Sequence, residues 1–191
     1  MDDARTGFPL LGEPAALDLA NTVAFRGGAR ETDLIPTPDE CSRWLRARDA
    51  ALGKAGEQAI SVTSAELDRL HGLRGVLHAV LEARVRGTDP AASELSELNE
   101  SARATAPTLD WPHGERPYLA AAGPAQAVLA EAVASAVVLL SAPDGTIRAC
   151  AHPDCTLFFA ATNPRRRWCS SATCGNRARV MRHHRRGQPA L

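Results

Sequence analysis

Four of the five cysteines in this chain of 191 residues lie in two pairs with the same internal spacing. The pairs are Cys150-x4-Cys155 and Cys169-x4-Cys174, with 13 residues between them. Two short thiol loops at this separation can close around one Zn²⁺, which favours four deprotonated soft ligands in a tetrahedron. Because four thiolates leave no coordination position for water, we predict a structural Zn²⁺ site without a catalytic role.

Two disulfides, or four ordinary buried thiols, are the alternatives to a metal site. The amino-terminal residues lack the charged and apolar segments of a secretory signal, and the apolar stretch 132–140 is too short to span a bilayer. We therefore expect a cytoplasmic protein that does not contact membranes. Thiols in that compartment stay reduced, which favours metal binding. The fifth cysteine, Cys41, is interpreted as a small apolar residue of a helix.

Positive and negative charges are balanced over the whole chain but separated along it. Residues 141–191 carry nine arginines and two aspartates, a net charge of +7, whereas residues 1–140 carry −7. The turn sequence Pro143-Asp144-Gly145 coincides with this change. We predict two domains, an acidic body over residues 1–143 and a basic finger over residues 144–191.

Most of the body has helical patterns. Capping sequences at Thr37 and Thr63 each begin a helix, and Gly87 ends the second of them. A short hairpin is expected around His113-Gly114, where three prolines limit the pairing. The remaining predicted helices cover residues 12–25, a segment after Pro90 through Leu95 and Leu98, and residues 125–140, whose apolar face includes Val137.

The finger has a different pattern from the body. Two short strands over 146–149 and 157–160 are expected on either side of the first cysteine pair, and a helix over 172–186 begins at the second. At helical spacing Arg179, Arg182 and Arg186 share one face, and Val180, Met181 and His184 share the other. The predicted fold class is therefore α+β, mostly α, with a zinc-ribbon or treble-clef-like finger made of a hairpin and one helix.

Arginines surround the second cysteine pair. Guanidinium groups form bidentate hydrogen bonds with phosphates and guanine edges, which makes nucleic acid the predicted partner. The aromatic content of 4% disfavours a base-stacking platform, although Trp168 offers one ring, so duplex DNA is preferred. A solvated face, or one that docks on the acidic body, is the alternative. The candidate contacts are Arg165, Arg166, Arg167, Arg177, Arg179, Arg182, Arg185 and Arg186.

Two segments resemble a known family. The run Arg166-Arg167-Trp168-Cys169-Ser170 followed by Cys174-Gly175-Asn176-Arg177-Ala178-Arg179 resembles the CGNR zinc finger, and Ala16-Leu17-Asp18-Leu19-Ala20-Asn21-Thr22 resembles the start of the ABATE domain. The resemblance covers nearly the whole chain. It implies a stress-induced transcription regulator, whose DNA binding is inferred from its basic residues. It also implies that Cys150, Cys155, Cys169 and Cys174 are the zinc ligands.

The chain departs from this family at one place. In the family an acidic residue often follows the Phe158-Phe159 strand, whereas this chain has Ala160-Ala161. The resemblance therefore gives no nearby acidic partner for an arginine of the finger.

Polar residues on the first helix leave two interpretations open. Asp18 and Asn21 either satisfy neighbouring backbone groups or, together with Arg26, line a pocket for a small-molecule effector. Internal hydrogen bonding is the preferred interpretation, because buried polar groups are usually satisfied within the protein.

Two functions of different classes follow from these features. The first is a transcription regulator that binds duplex DNA through its finger, with a body that senses a signal or forms a homodimer. The second is a zinc-stabilised protein-interaction module that does not contact nucleic acid. We do not expect an enzyme, because no histidine and carboxylate set accompanies the four thiolates.

Overall fold

The computed structural model describes residues 7–24, 32–54, 60–106, 108–110, 118–120 and 123–187. In these ranges the chain is mostly helical with three small antiparallel hairpins, which confirms the predicted fold class. None of the described helices is both long enough and apolar enough to cross a membrane. The helices are α1 (Ala15–Ala20), α2 (Pro38–Ala51), α3 (Ser64–Arg86), α4 (Ala92–Ala104), α5 (Pro124–Leu140) and α6 (Cys174–Gly187). The paired strands are β1 (Val23–Ala24) with β2 (Thr32–Asp33), β3 (Thr108–Asp110) with β4 (Tyr118–Ala120), and β5 (Ile147–Ala149) with β6 (Phe158–Ala160).

The helix ends follow the capping chemistry in the sequence. The Thr37 hydroxyl accepts the Glu40 N–H at 3.3 Å, and Thr63 forms a reciprocal capping box with Glu66. Gly87 ends α3 in the left-handed region, at φ +72°. Strands β3 and β4 pair as expected, and their turn around His113-Gly114 lies outside the described residues.

Two helical predictions need correction. Helix α1 covers six residues instead of the predicted 12–25, since Pro14 precedes it as N-cap and Asn21 ends it. In α5, Val137 is 53% exposed although the sequence pattern placed it on the apolar face. The face that packs against α1 and α3 runs through Ala132, Ala136 and Leu139, so Val137 is turned away from the core.

The finger packs on the body and is not an independent appendage. Ile147 and Phe158 belong to the same buried apolar cluster as the core of the body. The Asn21 side chain, 1% exposed, donates from Nδ2 to the Phe158 carbonyl and accepts the Phe158 N–H on Oδ1, both at 2.9 Å. An amide that pairs with both backbone groups of one residue replaces a neighbouring strand of the sheet. Asn21 therefore fixes β6 against the end of α1.

An ion-pair network that is buried at Asp18 and Arg48 and exposed at Lys54 joins the helices of the body. The Arg48 guanidinium lies 3.5 Å from Asp18 and 2.7 Å from Glu131, which also binds Lys54 at 2.8 Å. Burial raises the pKa of Asp18 to about 7, although the positive charge of Arg48 opposes this shift. The carboxyl of Asp18 thus takes up a proton in the folded chain at a pH where an unfolded chain has lost it.

Replacing Asn21 with Ala should destabilise the chain by about 3 kcal/mol, because the Phe158 N–H and carbonyl would stay buried without partners. Chemical denaturation of the full chain measures this loss. Asn99→Ala, an exposed change in α4, is the control and should alter the unfolding free energy by less than about 0.5 kcal/mol. Equal losses in the two variants would contradict the role of Asn21.

Asp18→Asn should change how stability depends on pH. Between about pH 4, the pKa of an unfolded Asp, and pH 7, folded Asp18 binds a proton that the unfolded state has released, so its contribution to stability falls as pH rises. The asparagine of the variant does not titrate, so the variant does not lose stability in this way. The unfolding free energy of the variant minus that of the wild type should therefore increase by about 3 kcal/mol from about pH 4 to about pH 7. Denaturant titrations at several pH values measure the difference. Asp68→Asn, an exposed change on α3, is the control, and its unfolding free energy should depend on pH as that of the wild type does.

Candidate metal centre

The four cysteine sulfurs of the finger converge on one point. The Sγ atoms of Cys150, Cys155, Cys169 and Cys174 all lie within 4.8 Å of one another. Two of their separations, Cys155 to Cys169 and Cys169 to Cys174, are 3.8 and 3.7 Å. Zinc–sulfur bonds of about 2.3 Å in a tetrahedron place neighbouring sulfurs about 3.8 Å apart, whereas a disulfide requires about 2 Å. All five cysteines of the chain are free thiols.

Local backbone structure brings these sulfurs together. Cys150 follows β5, and the turn up to Cys155 is closed by a hydrogen bond from the Cys155 N–H to the His152 carbonyl at 3.1 Å. Cys174 is the first residue of α6, and the loop from Cys169 is closed by the Gly175 N–H, which donates to the Ser170 carbonyl at 3.0 Å. The hairpin thus supplies one pair and the start of the helix supplies the other.

Backbone N–H groups surround the sulfurs. The Cys169 N–H lies 3.4 Å from the Cys150 sulfur. Hydrogen bonds from the backbone of Cys169 and His152 favour the Cys150 thiolate and help to lower its pKa, and the backbone of Leu157 acts in the same direction on the Cys155 pKa. The His152 ring accepts the Asp154 N–H on Nδ1 at 3.1 Å, so it shapes the turn and does not join the thiol cluster.

The thiols titrate as a group. Hydrogen bonds from Cys155 and Cys169, the largest effects, lower the pKa of Cys150 to about 2. The corresponding bonds to Cys150 raise the pKa of Cys155 to about 12, and those to Cys150 and Cys155 raise the pKa of Cys169 far above its usual range. A negative charge on one sulfur of the cluster therefore disfavours a charge on its neighbours. A soft dication would supply the charge that lets all four sulfurs ionise, so the donor set fits a metal site of four cysteines.

Gly175, in the Cys-Gly-Asn-Arg segment, has a packing role. A Cβ at this position would lie 3.1 Å from Cδ1 of Trp168, closer than an ordinary contact, so a side chain there would push the ring aside. The Arg167 guanidinium lies 5.3 Å from the centre of the same ring. Trp168 is half-buried and is contacted by both residues. Asn176 and Arg177 are exposed.

Arg166 differs from the other arginines of the predicted basic surface. Its Nη2 donates to the Glu13 carboxylate and to the Cys169 carbonyl, both at 2.6 Å, and its Nη1 donates to the Ala160 carbonyl at 3.0 Å. The guanidinium also lies 4.5 Å from the centre of the Phe159 ring. Arg166 is therefore a brace within the protein, and its predicted contact with nucleic acid stays a prediction.

The acidic partner of this brace comes from the body. Glu13 is 8% exposed, and besides Arg166 it accepts the Ala160 N–H at 2.8 Å. The sequence has no acid directly after β6, and Glu13 is not among the residues predicted from it. No sequence signal connects two residues 153 positions apart; only the docking of α1 beside the finger brings them together.

Five arginines of the predicted basic surface are exposed. Arg165 and Arg167 precede the second cysteine pair, and the others lie on α6. The predicted inner face of α6 is partly wrong, because Val180 is 46% exposed and His184 is exposed, whereas Ala178 and Met181 are half-buried. The side chains of Arg185 and Arg186 lie outside the described residues. The exposed set is Arg165, Arg167, Arg177, Arg179 and Arg182.

The candidate ligand residues of the body are placed in internal contacts. Asn21 pairs with Phe158, and Asp18 pairs with Arg48, although Asp18 Oδ1 is buried without a hydrogen-bond partner among the described residues. Arg26 lies outside the described residues. Asn21 thus has the internal hydrogen bonds that were preferred from the sequence, whereas the Asp18 carboxylate is only partly satisfied by Arg48.

Removing one cluster thiol should release the metal. Cys169→Ala leaves three ligands, so the purified full chain should lose about one equivalent of bound divalent metal and become sensitive to proteolysis between residues 144 and 187. Elemental analysis and limited proteolysis measure both effects. Cys41→Ala is the matched control, since Cys41 is fully buried on α2 outside the cluster. Metal retention by Cys169→Ala would exclude the four-thiolate site.

Two protein families match this chain, one over the body and one over the finger. A family described as "Putative stress-induced transcription regulator", the ABATE family, matches residues 13–143. The CGNR zinc finger matches residues 146–187, which include all four clustered cysteines. No curated protein matches the chain. Because the first match covers more than half of the chain, the protein belongs to the ABATE family, and its carboxyl-terminal part is a CGNR zinc finger.

Proposed function

We propose that this protein regulates transcription by binding duplex DNA through the exposed arginines of its finger, with Zn²⁺ in the four-cysteine site. The observation that carries the proposal is the exposure of five arginines beside the cluster of four cysteines. The family descriptions support a regulator with a zinc finger. The body is proposed to serve sensing or dimerisation, and the protein is proposed not to be an enzyme.

The proposed metal has a structural role. When bound, Zn²⁺ would supply the positive charge that four thiolates need and would hold β5, β6 and α6 in one arrangement. Cys150, Cys155, Cys169 and Cys174 would hold it. Since four sulfurs complete a tetrahedron, no position remains for water or substrate, and the residues around the site serve to orient the helix.

The exposed arginines are available for a polyanion. Among the described residues, none of the five forms a salt bridge with a carboxylate, unlike Arg166. Arg165 and Arg167 line a groove of about 660 Å³ that ends at the residues just before α6. A groove with unpaired guanidinium groups attracts phosphates and gains entropy from counterion release.

Helix α6 has the dimensions of an element that enters the major groove. It covers 14 residues, about 21 Å, and a major groove of about 12 Å width admits one helix. Asn176 and Arg177 are exposed on its first turn, and these residue types form bidentate pairs with adenine and guanine. We propose that this turn reads bases, while Arg179 and Arg182 contact phosphates.

The interaction-module alternative is supported by the docking of the finger on the body. That docking uses Arg166 and Glu13, and the five exposed arginines take no part in the ion pairs of the described residues. The five arginines therefore stay exposed when the finger is docked on the acidic body, which favours an external polyanion as their partner.

Binding of the full chain to duplex DNA should depend steeply on salt. If five phosphates are neutralised, log affinity should fall against log salt with a slope of about −4 to −5. Fluorescence anisotropy with a labelled duplex measures the slope. No binding at low salt would remove the DNA proposal and leave the interaction module, while the metal site would be unaffected.

Arg182→Ala should weaken DNA binding several-fold and reduce the salt slope by about one, because it removes one phosphate contact. Arg103→Ala is the control, since Arg103 is also an exposed helical arginine but lies on α4 of the body. Equal effects of the two substitutions would indicate nonspecific charge attraction, contrary to a defined surface on the finger.

A further inference from the structure

A cavity of about 450 Å³ lies where the body meets the finger. Helix α3 supplies most of its wall, and β1, β6 and the segment that leads into β6 contribute one residue each. Its volume is in the range of cavities that bind small organic molecules. Neither Asp18 nor Asn21 lines it. The lining residues are Val23, His71, Arg74, Gly75, His78, Glu82, Thr156 and Phe158.

Gly75 opens this cavity. It lies in the middle of α3, where glycine disfavours the helix, and its φ is not positive, so the backbone does not require glycine. A Cβ at this position would meet no atom within 4 Å. Neither backbone conformation nor packing therefore explains the glycine, whereas a bound molecule beside α3 would use the space that it leaves.

The two histidines in the wall have fixed orientations. His71 Nε2 lies 2.9 Å from the Ile35 carbonyl, and His78 Nε2 lies 2.7 Å from the Ala20 carbonyl. A carbonyl only accepts hydrogen bonds, so each Nε2 carries the proton and each Nδ1 of the neutral ring is an acceptor. Among the described residues, neither Nδ1 has a partner. The two rings therefore offer acceptors to a ligand.

The charged groups in the wall of the cavity also favour a ligand that donates hydrogen bonds. Arg74 is neutralised by Asp33 through two hydrogen bonds of 2.7 and 2.6 Å, which leaves little attraction for an anion. Within the described part of the chain, Glu82 forms an ion pair only with the exposed Arg86, at 3.1 Å. An exposed pair of this kind is weak, so the Glu82 carboxylate can take another cation. Phe158 adds an aromatic ring, which attracts cations to its face.

We propose that this cavity binds a small protonated amine with an apolar body. The Glu82 carboxylate and His78 Nδ1, which lie one helical turn apart on α3, accept from its ammonium group. Phe158 and Val23 contact its apolar part, and Gly75 gives it room. The proposal goes beyond DNA binding and does not depend on it. Because Phe158 belongs to the finger and is held by Asn21, a ligand in the cavity contacts both domains.

Three probes of nearly equal shape test the charge of the ligand. Benzylammonium, benzyl alcohol and benzoate are titrated into the metal-loaded full chain, and binding is followed by calorimetry and by NMR of the histidine rings. Benzylammonium should bind at least about tenfold more tightly than benzyl alcohol, because only its ammonium forms charge-assisted hydrogen bonds, and benzoate should bind least. Equal binding of the three would mean an unselective apolar cavity and would overturn the proposal. So would benzylammonium binding weaker than about 10 mM.

Two pairs of variants locate the site. Gly75→Leu should fill the cavity and weaken benzylammonium binding at least about tenfold, because the added side chain occupies the ligand's space. The matched change Gly72→Leu, on the same helix and also with open space around its Cβ, should leave binding unchanged. Both variants should fold, since they replace a helical glycine.

Glu82→Gln should weaken benzylammonium binding about tenfold and leave benzyl alcohol binding unchanged, because only the charge is removed. Asp68→Asn, at an exposed position of α3 away from the cavity, should affect neither probe. Binding that survives both Gly75→Leu and Glu82→Gln would overturn the assignment to this cavity. DNA titrations are independent of these measurements, so failure of either proposal is recognised separately.

Discussion

The crowding of four thiols within 4.8 Å is the constraint on which the finger depends. Three of the six buried residues in the cluster around the cysteine sulfurs are cysteines, and the other three are Ala24 of the body, Leu157 and Phe159. Leu11, Ala161 and Trp168 pack against this cluster and are only partly buried. Such a small core cannot offset the conformational entropy of its loops. A dication bound by the four thiolates would remove their repulsion and would connect the hairpin to the helix. With the metal bound, the four bonds would set the position of α6 and of the arginines on it.

The second constraint is the docking of the finger on the body. Asn21 pairs with the backbone of β6, and Glu13 binds Arg166 next to the thiol cluster. Both contacts come from the start of the body, so the ABATE and CGNR parts share an interface close to the metal site. A ligand in the cavity beside Phe158 would act on this interface directly, because that residue forms part of both.

The sequence predicted the local elements well where a local chemical reason exists. Thr63 with Glu66 marks the start of α3, and Gly87 marks its end, because capping depends on residues within one turn. Predictions of which face of a helix is buried were less accurate. Val137 and Val180 are exposed although each lies at helical spacing from other apolar residues. The side of a helix that is buried depends on the elements that pack against it, and its periodicity alone does not determine that side.

The sequence by itself determined the set of four clustered cysteines, the hairpin and helix that present it, and the concentration of arginines beside it, because these depend on spacing within a short segment. Only the tertiary structure decided which arginine faces inward and which polar residues of the body serve the interface. Arg166 meets Glu13 across 153 positions, and Asn21 meets Phe158 across 137. Contacts at such separations depend on how the helices of the body pack, and no local pattern in the chain encodes them.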